Sequence, residues 1–362
     1  MKILHVITTL NTGGAERLMV ELLPLLRERG HDIGLLLFNG ADSPLKQELR
    51  DKGIHLFELS STDSIDAQWP IYNPGNVFKL VKYLGNYDII HTHNTACQLY
   101  VPLAKSFSRS KAQLITTEHS ATNRRRSMRW YRPVDRWMYS RYAAIICIAD
   151  QARANLEKWI GKKSEICTIY NGVNISKFIK PIKYIGNQER FVITMVAGFR
   201  PQKDHITLIK SMLHLPEHYS LKLVGRGETE QEMKKLCRDL GLEQRVVFMG
   251  LRSDVPDVLD SSDVVVLSSH GEGLSLSSIE GMASGRPFIA SDVEGLRDTV
   301  NGAGLLFPHG DDEALAKAIQ ELCENPDRYR KVASACQERA KQYDISRMAD
   351  GYDQLYRSLC KS

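Results

Sequence analysis

Two glutamates eight positions apart, Glu272 and Glu280, stand in the run SSHGEGLSLSSIEGMASG. An ionised carboxylate is an acceptor only, and its two oxygens suit the paired hydroxyls of a sugar ring or a ribose. The run opens at the end of an apolar stretch, Val264 to Leu267, that reads as a buried strand. Small, turn-prone residues follow, and a helical pattern is expected from near Leu276 to Gly285, a residue suited to a helix C-terminus. Such a junction leaves unpaired backbone N–H groups at the start of the helix, where they can hold a phosphate or a sugar oxygen. Gly273 and the small Ser275 leave room for a ligand beside Leu274, and Ser275, Ser277 and Ser278 add hydroxyls. Glu272 falls on the loop and Glu280 inside the helix. The ligand that fits carries a phosphate, a vicinal diol and a second hydroxyl-bearing ring. Two acids at this spacing also arise as solvated charges, and spacing alone does not separate the two cases.

A second candidate set follows the strand expected over Phe191 to Val196. Arg200 and Lys203, three apart, lie on a loop opening a helix near His205. Arginine is a planar, multidonor partner for phosphate and lysine a mobile point charge. With a helix N-terminus they would neutralise a departing phosphate; the bland alternative is a solvated basic turn. Three histidines, His91, His93 and His119, close the strands expected over 87–93 and 113–117. In open α/β sheets ligands bind outside the carboxyl ends of strands. No carboxylate cluster accompanies these histidines, so no metal site is expected.

Strands and helices must alternate to place these residues. Lys2 to Thr8 reads as a strand, Thr9 to Gly14 as a glycine turn, Ala15 to Arg29 as an amphipathic helix ended by Gly30, and Ile33 to Phe38 as a second strand. That is a βαβ unit, whose parallel strands need the crossover helix. The Gly13-Gly14 pair either makes a tight turn or brings backbone close to a ligand. Further strands are expected over 143–148, 221–224, 246–251, 287–291 and 304–307, with helices over 149–159 and 312–343 and a final helix over 345–359. The fold class is α/β. Two domains are expected, 1–180 and 188–344, joined by a polar run at 180–189, with the helix 345–362 packing back on the first.

At 362 residues with 43% hydrophobic and 25% charged side chains, the chain has the composition of a globular protein of two domains. No signal peptide is recognised, and no run of about 18 apolar residues occurs. The seven cysteines are odd in number and without a CxxC pair. Free thiols in a reducing compartment are expected, hence a cytoplasmic chain. Net charge is only +5, but residues 124–141 carry seven arginines against one acid, Asp135, with Trp130, Tyr131, Trp137 and Tyr139 interleaved. Trp130, Val134, Trp137 and Arg141 keep helical spacing and could face the core. Pro133 is expected to start the helix, leaving Arg124 to Arg132 as a basic loop. Such a segment also suits an anionic membrane surface or a diphosphate-linked lipid, which would make the chain peripheral on the inner face of the cytoplasmic membrane. No nucleic-acid recognition motif is present.

EGLSLSSIE followed by GMASGRPFIASDVEGLRDTV resembles the E-x7-E signature of family 4 retaining, nucleotide-sugar-dependent glycosyltransferases, which have the GT-B fold of two Rossmann-like domains facing a central cleft. Many members read EGFGL where this chain has Glu272 to Leu276, so Ser275 stands in place of a glycine. The resemblance implies that Arg200 and Lys203 hold the diphosphate, Glu280 the ribose, and Glu272 with His119 (in TEHS) the sugar. It also implies that a loop like the one holding Gly14 approaches the diphosphate or the acceptor. The implied reaction moves a sugar, with retention, from a nucleotide-diphosphate donor, expected to be a UDP-sugar, to a glycan or lipid-linked acceptor of polysaccharide, capsule or glycolipid biosynthesis. No covalent nucleophile, cofactor or metal is implied. A sugar-nucleotide epimerase of the same fold and a non-catalytic glycan-binding subunit are the alternatives.

Overall fold

Parallel strands alternate with helices along the chain in the computed structural model, which describes residues 1–11, 14–119, 124–162, 165–183 and 189–360. The chain divides into two compact units, Met1–Gly172 with Ile345–Ser362, and Val173–Asp344.

The first unit is built on seven strands: β1 (Lys2–Ile7), β2 (Asp32–Leu37), β3 (His55–Glu58), β4 (Ile89–His93), β5 (Gln113–Glu118), β6 (Ala144–Cys147) and β7 (Ile166–Thr168). Their order across the sheet is β3-β2-β1-β4-β5-β6-β7, with every neighbouring pair parallel. Parallel sheets are covered on both faces, which is why β1, β2 and β4 read as near-continuous buried runs. Neighbouring residues of a strand point to opposite faces. Ile3, Ile33, Leu35 and Ile115 therefore enter one core, and Leu4, Leu36, Ile90 and Leu114 the other. The C-terminal helix Ile345–Cys360 fills the first of these cores with Tyr352 and Tyr356, both fully buried. Arg29, just past the helix Gly14–Glu28, clamps it through Asp350 at 2.6 Å.

The second unit has six parallel strands: β8 (Phe191–Val196), β9 (Tyr219–Val224), β10 (Val246–Gly250), β11 (Val264–Leu267), β12 (Phe288–Ser291) and β13 (Leu305–Phe307), in the order β10-β9-β8-β11-β12-β13. Val173, Ile175 and Phe178 belong to its core. The boundary thus falls before the expected residue 180, because these apolar side chains just after the Asn171-Gly172 turn already pack here. Residues expected in the linker are tied down as well: Gln337 donates to the Lys180 carbonyl at 2.7 Å, and Lys183 pairs with Asp263 at 2.8 Å. The middle of that linker, 184–188, lies outside the described residues.

Differences from the expected elements are local. The basic stretch before Pro133 is not an open loop but two 3-10 turns, Arg124–Ser127 and Arg129–Tyr131, leading into the helix Arg132–Tyr139. Strand β3 and the helices Pro44–Asp51 and Asn76–Leu84 were not anticipated. In β3, the pattern HLFE has one exposed and three half-buried residues, a weak strand signal at a sheet edge.

Candidate functional site

In both sheets the strand order reverses beside the first strand, between β1 and β4 and between β8 and β11. Outside the carboxyl ends of strands at such a reversal lies the expected ligand crevice of an open α/β sheet. The candidate residues cluster at these two places, one in each unit.

In the second unit the loop after β8 carries Arg200 and Lys203, and the loop after β11 carries Glu272. Because β8 and β11 are neighbours, these loops meet although 69 residues separate Lys203 from Glu272. Lys203 Nζ pairs with Glu272 Oε1, and both side chains are largely buried, 18% and 9% exposed. Ser269 Oγ reaches the same carboxylate oxygen at 2.8 Å, and the Ser269 N–H is held by Ser291 Oγ at 3.0 Å. Arg200 is exposed and its side chain makes no hydrogen bond or ion pair among the described residues. The helix His205–Ser211 that follows is capped by Asp204, whose carboxylate accepts from the Thr207 N–H and hydroxyl. That acid already takes one N–H of the helix end expected to assist Arg200 and Lys203. His205 stacks on Phe199 at 4.3 Å, and burial lowers its pKa to about 4.

The helix expected from Leu276 is Leu276–Ala283, with Ser275 as its N-cap residue. No side chain among the described residues caps its first turn: Ser275 Oγ lies 3.1 Å from Ser277 Oγ instead. Glu280 is half-buried on this helix, and Gly273 and Leu274 lead into it. Two glycines hold the loops at working distance. A Cβ on Gly295 (φ +83°) would meet the Glu272 carbonyl at 2.3 Å, so only glycine lets that turn support the Glu272 loop. A Cβ on Gly225 (φ +149°) would meet the Ala197 carbonyl at 2.1 Å, on the way to Arg200. The sequence signals for these supports, a GxG after β9 and the Glu294-Gly295 pair, carry no obvious chemistry. Gly295, Ser269 and Ser291 were not singled out beforehand.

The first unit presents a different centre. His5 on β1 pairs in register with His91 on β4, and His91 and His93 share a face, so three imidazoles stack at one end of the sheet. His119 follows β5 and joins them. His5 Nδ1 lies 3.0 Å from His93 Nε2, and His93 Nδ1 lies 2.9 Å from His119 Nε2. His91 is turned to the C-terminal helix, with Nδ1 at 2.6 Å from Tyr356 Oη and Nε2 at 2.8 Å from Thr117 Oγ1. Burial lowers the pKa of His5 to about 3 and of His119 to about 4, and burial with the neighbouring imidazoles holds His91 and His93 well below the usual value. These rings are neutral. His5 was missed because it sits inside an apolar strand, where only its register with His91 reveals it. Gly14 opens the helix after β1; Gly13 and Ser120 lie outside the described residues.

Behind His119, Glu118 is 4% exposed and receives Gln98 at 2.6 Å, Tyr139 at 2.5 Å and Arg126 at 2.9 Å. Arg125 pairs with the buried Asp135 at 3.0 Å, and Asp135 also accepts from the Trp159 indole at 2.8 Å. Two arginines of the basic segment are therefore spent inside the fold. Trp130, whose spacing suggested a core face, is 71% exposed, and Arg129, Arg136 and Arg141 are exposed too.

The comparisons agree with this arrangement. The family model described as Glycosyltransferase Family 4 matches residues 12–177, and that described as Glycosyl transferases group 1 matches 177–343. Among curated proteins, the chain is 25% identical over 345 residues to the UDP-Gal:alpha-D-GlcNAc-diphosphoundecaprenol alpha-1,3-galactosyltransferase of Escherichia coli, covering 90% of this chain and 88% of that one. It is 26% identical over 373 residues to the GalNAc-alpha-(1->4)-GalNAc-alpha-(1->3)-diNAcBac-PP-undecaprenol alpha-1,4-N-acetyl-D-galactosaminyltransferase of Campylobacter jejuni, covering 98% of each. Among solved structures, Anabaena HepE in complex with UDP and glucose superposes with a TM-score of 0.82 at 22% identity, over 99% of this chain and 100% of that one. The two family matches meet at residue 177 and leave only β1 and the C-terminal helix largely outside. With two Rossmann-like sheets bearing polar centres at their reversals, the chain belongs to the family 4, group 1 glycosyltransferases of GT-B fold.

Proposed function

We propose that the protein is a retaining, metal-independent glycosyltransferase that moves a sugar from a UDP-sugar to a glycan or lipid-linked acceptor. The observation that carries this is the Lys203–Glu272 pair, set at the strand reversal of the second sheet beside the exposed Arg200. Arg200 and Lys203 neutralise the diphosphate as it leaves, the charge that a preorganised cation stabilises most in the transition state. Lys203 exchanges Glu272 for phosphate when the donor arrives, which frees the carboxylate to accept from sugar hydroxyls. Glu280 takes the ribose diol, the uncapped turn after Ser275 takes a phosphate or sugar oxygen beside Gly273 and Leu274, His119 orients the sugar, and the loop holding Gly14 approaches the diphosphate or the acceptor. The bond from the anomeric carbon to phosphate breaks, the acceptor oxygen bonds on the same face, and its proton passes to the departing phosphate. Two cations facing one diphosphate supply the charge that a metal would otherwise bring.

The names of the relatives support a diphosphate-linked lipid acceptor and, in one case, a UDP-sugar donor. HepE was crystallised with UDP and glucose, which supports the same nucleotide. The exposed Met128, Arg129 and Trp130 favour contact with the membrane that carries such a lipid, although no helix among the described residues is long and apolar enough to cross one. Neither the epimerase nor the binding-subunit alternative is favoured. Thermal melting with UDP, GDP, ADP and CMP, each with and without EDTA, tests the donor site. UDP is expected to raise the melting temperature selectively, with or without EDTA, since a ligand that binds only the folded chain stabilises it by mass action. No shift with any nucleotide defeats the reading.

A further inference from the structure

The imidazoles of the first unit form a chain with a countable set of protons. His5, His93 and His119 are joined Nδ1 to Nε2 at 3.0 Å and Nδ1 to Nε2 at 2.9 Å. Each neutral ring carries one N–H. Three rings bring three protons, two of which are used in the two contacts between rings. The third must sit on one of the outer nitrogens, His5 Nε2 or His119 Nδ1. Both outer atoms are buried and neither has a hydrogen-bond partner among the described residues.

The two ends are not equivalent. His5 is fully buried within the sheet, parallel to His93, tilted against His91 and edge-on to Tyr356, and is enclosed by these rings. A buried N–H without an acceptor is among the rarest defects in folded proteins. His119 as a residue is only half-buried, although its Nδ1 is covered in this structure, and it follows the carboxyl end of β5, the side on which open α/β sheets bind ligands. His91 takes no part, because Tyr356 and Thr117 occupy both of its nitrogens.

We infer that His5 and His93 are positioning residues that fix the tautomer of His119, so that it presents Nδ1–H as a donor to a ligand oxygen. The polarity then runs His5 Nδ1–H to His93 Nε2, and His93 Nδ1–H to His119 Nε2. In this unit the nitrogen left over on the terminal ring is set by what the other nitrogen accepts. An acceptor oxygen of a sugar or phosphate is preferred at His119, and a ligand group able only to donate is rejected. The sugar as ligand, and with it the choice of the His119 end, rests on the function proposed above; the alternation of protons along the three rings does not.

Nitrogen-15 imidazole spectra of histidine-labelled protein, recorded near neutral pH without ligand, read the tautomer directly. The His119 signals are assigned by their loss in His119→Gln. The native spectrum is expected to show protonated Nδ1 and bare Nε2 at His119. In His93→Leu this preference is expected to collapse to a mixture or reverse. In His93→Gln, whose amide can still donate to His119 Nε2, the native pattern is expected to return. A merely structural role for His93 would leave the tautomer untouched. Protonated Nε2 at His119 in the native protein, or signals averaged between tautomers, overturns the inference, and so does an unchanged spectrum in His93→Leu. The native spectrum decides the matter even where His93→Leu does not fold. Because no substrate is present, failure here is distinct from failure of the glycosyl-transfer reading.

Discussion

The two sheets reverse strand order in the same way, yet the centres at their reversals work through different physics. The second unit places formal charges there, Lys203 against Glu272 with Arg200 exposed beside them. The first unit places four neutral imidazoles there: His5, His93 and His119 are linked by hydrogen bonds, and His91 is held by Tyr356 and Thr117. Charges suit the end of the substrate where charge develops in the reaction, the diphosphate. Neutral, directional donors suit a sugar, whose hydroxyls are recognised by geometry. Under the proposed function, one architecture divides the work by the electrostatic character of its loops.

The sharpest way to break that division is to remove one group from each centre. Lys203→Ala and Glu272→Ala are each expected to lower kcat by about 10²–10³-fold with the fold intact. His119→Ala, which removes a neutral hydrogen bond, is expected to cost only about tenfold. Initial rates of sugar transfer with circular dichroism as the fold control measure both, and equal losses in the two centres would erase the contrast.

A second test uses acid. His5 and His119 titrate near 3 and 4 in the fold, below the ordinary histidine value, because burial penalises their charged forms. The unfolded chain therefore binds more protons below about pH 6.5, and stability present above that pH is lost as pH falls toward the folded values. Each fully buried histidine contributes a slope of up to about 1.4 kcal/mol per pH unit. Hydrogen exchange between pH 7 and 4.5 is expected to show the first unit loosening before the second, since burial lowers His5, His91, His93 and His119 in the first and His205 in the second. The smallest expected effect lies inside the charged centre: Glu280→Gln should raise KM for the donor by about tenfold or less with kcat little changed, the pattern of lost ground-state binding.

Much of this division is legible in the sequence, and unevenly so. The strand Val264–Leu267, the helix from Leu276 and the position of Glu272 between them follow from local apolar pattern and turn chemistry. The chemistry of the second centre, being charged and on loops, announces itself by residue type. The first centre does not. His5 lies in KILHVI, a run that reads as plain core, and its partnership with His91 and His93 depends on the register of β1 against β4. Register between strands more than 80 residues apart has no local signal. Arg125 and Arg126 mislead for the same reason, since the carboxylates that bury them, Asp135 and Glu118, come from a helix and a strand that only the fold brings beside them. Gly225 and Gly295 are visible as glycines but not as spacers, because the carbonyls they admit belong to other loops.

The last helix, Ile345–Cys360, completes the core of the first sheet and holds His91 through Tyr356. The strands of the first unit therefore wait for a helix that is made only after the whole second unit. The second unit, continuous from Val173 to Asp344, has all its strands before the first unit can close its own core. Synthesis order and folding order run opposite for the two halves. A nascent chain stalled just short of residue 345 would carry one finished sheet and one with the face that Tyr352 and Tyr356 cover left bare, a target for chaperones rather than a half-active enzyme.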